Sequence, residues 1–288
     1  MFVQLRDATV FIAGLGLMGG SLGLLIRGCA AEVIGMDPDP DARAQAKRRG
    51  AVGEAVGPEE AIEAASSCDL MVLATPLGRM GEVLRLAGPG LRPGTVLTDL
   101  GSVKGPLIDE LNPLVPPGVL YVPGHPMAGS EEQGMEGARE DLYRGAVWML
   151  ASEPPGLLCE LIVESGAEIR LMSPAEHDRI VAHTSHLPYL MAAATAAAAC
   201  EGARDDLEGF RALVAGGFGD TTRVAAGSVP MGADMCLYNA EELLPVLERA
   251  TGALSDLVAA LRRGDRTGLG DHLYSIQQQL LRVRGESA

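Results

Sequence analysis

Lysine is almost missing from this chain: Lys47 and Lys104 are the only two among 288 residues. No stripe of arginine makes up for it, and 23 basic against 38 acidic side chains leave a formal charge of −15. Such a field repels nucleic acid and acidic membrane surfaces, so neither is expected as a partner. It also repels small anions, which must then be held by a few specific cations inside a pocket. Long apolar runs are missing as well, since none free of charge or glycine reaches the roughly 18 residues that spanning a bilayer needs. The opening MFVQLRDATVFIAG carries no small-residue cleavage site, so no export signal is read. Cysteine is sparse: Cys29, Cys68, Cys159, Cys200 and Cys236 are odd in number, scattered, and never in a C-x-x-C pair. That pattern argues against a disulfide framework and against a zinc site, and no metal is expected. Together these absences place the chain in the reducing cytoplasm.

What is present has a clear order. The length suits two domains. From Thr9 to Met172 short apolar runs alternate with helical stretches, the pattern of a parallel sheet wrapped by helices. Strands are expected at Thr9–Ala13, Glu32–Met36, Leu70–Ala74, Val96–Leu100, Leu120–Pro123, Ala146–Ala151 and Ala167–Leu171, the last two extending the sheet. At Ser173-Pro174-Ala175-Glu176 an N-cap, a first-turn proline and a capping-box glutamate start a helix, and no strand pattern comes after it. The expected architecture is α/β: a doubly wound parallel sheet over 1–172 and an all-helical domain over 173–288. The alanine-rich Ala192–Cys200 stretch suits buried core or a close-packed seam between two copies of the chain, the seam being the favoured reading.

Gly14-Leu15-Gly16-Leu17-Met18-Gly19 lies between the first strand and a helix, the context in which a Rossmann-type G-x-G-x-x-G turn brings backbone amides to a pyrophosphate. The second strand ends at Asp37, about 20 residues on, where a carboxylate accepts from ribose hydroxyls and repels a 2′-phosphate. Pro38 comes next, where an arginine would favour NADP, so NAD is the expected cofactor. Thr75 and Pro76, after the Leu70–Ala74 strand, are further cofactor-binding candidates. Ser102 and Lys104 sit just past another strand end, where a hydroxyl can donate to a substrate or an imidazole and a lysine can hold a carboxylate or orient the loop. His125, again past a strand, is the best general base, because its ordinary pKa lies near the working pH. His183, His186 and Tyr189 recur at threes, near one face of a helix that Pro188 must kink or end. For His177 and His183 a structural role at an interface is the favoured reading. Arg223, after the glycine-rich Gly216–Gly219 turn, is the natural second cation for a carboxylate.

In order and spacing, GLGLMGGSL, DLGSVK, GHPMAGSE, SHLPY and FGDTTR resemble the prephenate and arogenate dehydrogenases across nearly the whole chain, HPMAGSE most specifically. This resemblance implies NAD-dependent oxidative decarboxylation of prephenate, in tyrosine biosynthesis, by a homodimer with a C-terminal dimerisation domain. It also implies His125 as base, Ser102 as its partner at the substrate hydroxyl, Arg223 as clamp on the ring carboxylate and Glu131 as a gating or positioning acid. Lys104, His186 and Tyr189 complete the substrate-binding candidates. Tyr189 stands where many relatives carry histidine, Gly219 replaces a basic residue, and Met231-Gly232-Ala233-Asp234 lacks a Met-Trp pair. The choice between the pyruvyl chain of prephenate and the alanyl chain of arogenate therefore stays open. Any feedback by tyrosine is expected at the active site, as no regulatory domain is recognised. The rival readings are a β-hydroxyacid dehydrogenase, disfavoured because neither lysine lies in the helical domain, and an NAD-sensing protein that has lost catalysis.

Overall fold

The structure, a computed structural model, describes residues 3–130 and 132–286. Strands β1 (Thr9–Ala13), β2 (Glu32–Met36), β3 (Glu54–Val56), β4 (Leu70–Leu73), β5 (Val96–Asp99) and β6 (Leu120–Val122) form one sheet. It is parallel throughout, in the order β3-β2-β1-β4-β5-β6. Helices α1 (Leu17–Ile26), α2 (Pro40–Arg48), α3 (Ala61–Ser67), α4 (Leu77–Ala87) and α5 (Gly105–Leu111) make the connections. Side-chain alternation splits the central strands between two cores: Val10, Ile12, Leu70 and Val72 face one, and Phe11, Ala13, Met71 and Leu73 face the other. Continuous apolar strands are what a sheet covered on both faces requires. Each fully buried Val, Leu, Ile, Phe or Met side chain contributes roughly 1.5–3 kcal/mol.

The remaining strands depart from expectation. β7 (Gly124–Pro126), β8 (Val147–Leu150) and β9 (Glu168–Leu171) form a separate three-stranded sheet rather than an extension of the first. The break falls at Pro123, which has no N–H to continue a ladder. Past it the chain pairs antiparallel with β8, setting His125 opposite Met149. The strand expected at Leu120–Pro123 thus ends one residue early, and β3 has no counterpart among the expected strands.

After α6 (Gly156–Glu164) and β9, α7 (Pro174–Val181) begins with the expected cap, Ser173 accepting from the Glu176 N–H at 3.3 Å. Pro188 neither ends nor breaks the helical path. A π-helical turn over Ala182–His186 precedes it, and α8 (Leu187–Gly202) continues, with proline in its first turn. The wider turn lets proline, which lacks an N–H, sit within a continuous helical path. Helices α9 (Leu207–Ala212), α10 (Gly216–Thr222), α11 (Val229–Tyr238), α12 (Ala240–Arg263) and α13 (Arg266–Arg284) complete the chain. Element type changes after Leu171, close to the expected 172/173 boundary, whereas contact density separates compact units 1–240 and 241–288. Among the described residues no helix is long and apolar enough to cross a membrane.

Candidate active site

The carboxyl ends of β1, β4 and β5 and the β7 strand bring the motifs to one side of the sheet, the position at which open α/β sheets bind ligands. At β1, Gly14 adopts φ +106°, and a Cβ there would lie 2.6 Å from the Ala74 carbonyl oxygen, so only glycine fits. A Cβ on Gly19 would collide with the Gly14 oxygen, and its absence lets α1 start tight against the strand. Above Gly16 there is open space instead. The Leu15 side chain is wholly buried in the core, so only its backbone faces this loop, and that N–H donates to Asp37 Oδ2 at 2.8 Å. Asp37 Oδ1 accepts from the Asp39 N–H at 2.9 Å. Leu17 and Met18 are half-buried in the first turn of α1, the Met18 carbonyl accepting from the Tyr143 hydroxyl at 2.7 Å. Thr75 Oγ1 is buried without a hydrogen-bond partner, and Pro76 is exposed at the start of α4. An open cradle at Gly16, an orphan hydroxyl at Thr75 and a carboxylate at the β2 end fit a dinucleotide. Arg43, which no motif singles out, joins this site: its guanidinium donates to the Asp37 carbonyl at 2.5 Å and the Pro38 carbonyl at 3.1 Å.

Lys104 corrects an expectation. It is completely buried, its ammonium donating to Asp99 Oδ1 and, at 2.5 Å, to the Gly124 carbonyl. Asp99 is equally buried, and accepts from the Gly101 N–H at 2.8 Å, the Tyr121 hydroxyl at 2.9 Å and the Gly124 N–H at 3.4 Å. Burial pulls the Lys104 pKa down, opposed by the Asp99 charge. Burial and the Asp99 carboxylate push Tyr121 up, so it serves as a donor. A lysine so enclosed does not face a substrate carboxylate: it fastens the ends of β5 and β7 beneath His125. Gly124 is closely packed, since a Cβ there would sit 3.0 Å from Trp148 Nε1 and 3.1 Å from the Asp99 carbonyl oxygen.

His125 is half-buried, and its Nδ1 lies 2.8 Å from His177 Nε2. His177 Nδ1 lies 2.7 Å from Asp178 Oδ1. Asp178 also caps the start of α5, accepting from the Lys104 N–H at 2.8 Å and the Gly105 N–H at 2.7 Å. Burial raises the Asp178 pKa, but hydrogen bonds from His177, Gly105 and Lys104 outweigh it and hold the group ionised. An ionised carboxylate only accepts, so with both imidazoles neutral the chain has one polarity. Asp178 takes the His177 Nδ1–H, His177 Nε2 takes the His125 Nδ1–H, and His125 Nε2 is left as a lone pair. That nitrogen makes no hydrogen bond among the described residues. Burial, then the neighbouring His177, Lys104 and His186, push the His125 pKa well below 6.5, so the ring is neutral at neutral pH. A neutral imidazole with an unbonded lone pair is a proton acceptor in waiting.

The three-residue spacing does not put His183, His186 and Tyr189 on a common face, because the π turn shifts the phase of the helix. His183 is exposed, with Nδ1 2.8 Å from the Arg179 carbonyl oxygen. His186 is buried, with Nδ1 3.0 Å from Asn239 Nδ2. Burial brings its pKa down to about 4. Tyr189 is half-buried over α11, where a Cβ on Gly232 would collide with its hydroxyl. Ser102 is half-buried and its hydroxyl makes no hydrogen bond to His125 or to any other described residue. Arg223 is exposed at the junction of α10 with the turn Arg223–Ala226. Glu131 lies outside the described residues. The structure therefore brings together His125, Lys104 and His186 and adds His177, Asp178 and Asn239. Of these additions only the His177-Asp178 pair was visible in the sequence, where nothing tied it to His125.

Residues 22–155 match the family described as prephenate dehydrogenase, nucleotide-binding domain. Residues 173–275 match prephenate dehydrogenase, dimerization domain. The chain is 30% identical to a prephenate dehydrogenase of Bacillus subtilis over 84% of its own length and 66% of that protein's. It is similar to the crystal structure of Aquifex aeolicus prephenate dehydrogenase in complex with hydroxyphenyl propionate and NAD+, at 26% identity and TM-score 0.85 over 98% of this chain and 99% of that one. Synechocystis arogenate dehydrogenase is 30% identical with TM-score 0.74, over 96% and 99% of the two chains.

Proposed function

The chain belongs to the prephenate dehydrogenase family, and on that premise we propose that it performs the NAD-dependent oxidative decarboxylation of prephenate to 4-hydroxyphenylpyruvate, a step towards tyrosine. The observation that carries this reading is the one-way hydrogen-bond chain Asp178–His177–His125, which ends in an unbonded Nε2. The turn Gly14–Gly19, Asp37, Thr75 and Pro76 would hold NAD, which when bound accepts the hydride from C4 of the ring. His125 Nε2 takes the C4 hydroxyl proton, the ring carboxylate leaves as carbon dioxide, and its bonding electrons make the ring aromatic with the C4 oxygen as a phenolate, to which His125 returns the proton. His177 and Asp178 hold the accepting imidazole in position and stabilise the charge it gains. Ser102, with its free hydroxyl, orients the substrate hydroxyl. Arg223 is assigned to the ring carboxylate of the substrate, Glu131 to gating or positioning, and His186 lines the pocket.

Lys104 is removed from the substrate-binding set and assigned to the support beneath it. Arogenate is the second reading: Tyr189, a phenol where many relatives carry histidine, leaves the side-chain choice open, and the similarity to Synechocystis arogenate dehydrogenase supports it. The domain division at 172/173 and a homodimer in the cytoplasm belong to the same proposal. The homodimer is supported by the dimerization-domain match and by Leu254, Leu261, Leu273, Tyr274, Ile276 and Val283, which are exposed on α12 and α13.

The test is His125→Asn, which keeps a polar side chain of similar reach but removes the base. Turnover is expected to fall by about 10²–10⁴-fold with the NAD dissociation constant unchanged. Near-normal turnover would remove His125 from the role.

A further inference from the structure

Three buried side-chain polar atoms among the described residues lack any hydrogen-bond partner: Thr75 Oγ1, Trp148 Nε1 and His186 Nε2. The first lies at the cofactor turn and the second against Gly124. The third is on a histidine only 1% exposed, at the end of the π turn that follows α7. Its protonation can be read from its neighbour. Asn239 is itself buried, and its Nδ2 lies 2.8 Å from the backbone carbonyl oxygen of Asp178. A carbonyl oxygen only accepts, so this contact fixes which end of the amide is the NH2. The same Nδ2 lies 3.0 Å from His186 Nδ1. With one amide hydrogen on each partner, His186 Nδ1 must be the acceptor, and the ring proton is on Nε2. Burial, together with the nearby His177, keeps the ring neutral, Asp178 opposing. His186 therefore presents a neutral, buried and unanswered N–H donor. A donor left unmatched in a protein interior carries a desolvation penalty, which an acceptor on a ligand removes.

We propose that Asn239 is a positioning residue that locks His186 as its Nε2–H tautomer, so that His186 donates to an acceptor oxygen on the substrate. The inference rests on the pocket assignment made above for His186 and extends it. Asn239 acts at a distance from the ligand, through His186 Nδ1, and by the same amide ties α7 to the end of α11. The π turn over Ala182–His186 contributes by rotating His186 inward while leaving His183 exposed. The ligand chemistry implied is a carboxylate or keto oxygen, which an N–H can bind and an imidazole lone pair would repel.

The tautomer is measurable by nitrogen-detected NMR on the NAD-loaded protein. With only five histidines in the chain, His186→Gln suffices to assign the signal. The wild type is expected to carry the proton on Nε2, and hydroxyphenyl propionate is expected to shift that resonance on binding. Asn239→Asp places a carboxylate against Nδ1, which should move the proton to Nδ1 and leave Nε2 as a lone pair. The dissociation constant for hydroxyphenyl propionate is then expected to rise roughly tenfold or more, with that for NAD unchanged. A purely structural role for Asn239 would lower the melting temperature of Asn239→Ala and leave the tautomer and the ligand affinity alone. A wild-type His186 protonated on Nδ1 overturns the proposal without any variant, as does a reversed tautomer with unchanged affinity. Failure of the functional reading is a separate result, seen as no NADH formation from prephenate or arogenate while the tautomer signal stands.

Discussion

Replacing Lys104 by methionine separates a structural lysine from a substrate-binding one. The ion pair with Asp99 has both side chains at zero exposure, so methionine removes the charge, roughly keeps the volume, and leaves a carboxylate buried without its counter-ion. Breaking a buried pair from one side costs about 3–5 kcal/mol. Asp99 keeps three other donors, from Gly101, Tyr121 and Gly124, which argues for the lower part of that range. Losing the ammonium's bond to the Gly124 carbonyl adds about 1 kcal/mol. The expected total is about 4 kcal/mol, a large part of the stability of a typical domain. Urea unfolding should show a lower midpoint with little change in slope. The double variant Asp99→Asn/Lys104→Met removes the stranded charge and is expected to regain most of the loss, because the penalty belongs to the unpaired ion rather than to the missing contact. Kinetics on Lys104→Met, below its midpoint, should show a fall in kcat as His125 loses its footing and little change in KM. A variant stable to within about 0.5 kcal/mol whose KM rises tenfold would refute the reasoning and return Lys104 to the substrate.

The other expectations concern cofactor choice and pH. Asp37→Ala removes a ribose acceptor and also the partner of the Leu15 N–H, so NAD is expected to bind roughly tenfold weaker or worse, while Arg43, already beside the Asp37 carbonyl, is left to favour a 2′-phosphate. The ratio of NAD to NADP affinities should fall by more than tenfold, and an unchanged ratio would end the assignment of Asp37. For pH, the active form of His125 is the neutral one, and its pKa lies below 6.5, so kcat/KM should stay flat as pH falls through 6.5 and drop only at lower pH; a midpoint at 6.5 or above contradicts the burial argument. Stability has the same sign, since His186 titrates at about 4 in the fold against 6.5 as its ordinary value. Its contribution is complete above 6.5 and is lost as pH falls from there to about 4, amounting to about 3 kcal/mol, which acid unfolding of the wild type against His186→Gln would measure.

The parts of this molecule that were legible in the sequence are those governed by local pattern. Apolar runs gave the central strands because both faces of the sheet are covered, and Gly14–Gly19 with Asp37 declared the dinucleotide turn because backbone geometry and charge demand those residues there. Pro123 is a readable signal of a different kind: it ends β6 and sends His125 into another sheet. β3 has three residues, too few for a period to show. Lys104 next to a glycine loop reads as exposed, and only the closing of β5, β6 and β7 around Asp99 reveals it as buried. His177 and Asp178 lie 52 and 53 positions from His125, and Asn239 is 53 beyond His186, so no spacing rule links them. The π turn escapes a 3.6-residue periodicity altogether, which is why His183 and His186 read as neighbours on one face.

The most direct test of the account is NADH and carbon dioxide formation by the purified protein, given NAD with prephenate and, separately, with arogenate at matched concentrations. The expected result is equal molar yields of NADH and carbon dioxide with prephenate, both formed about 10²–10⁴-fold more slowly by His125→Asn. Demonstrable NAD binding without either product from either substrate would contradict it.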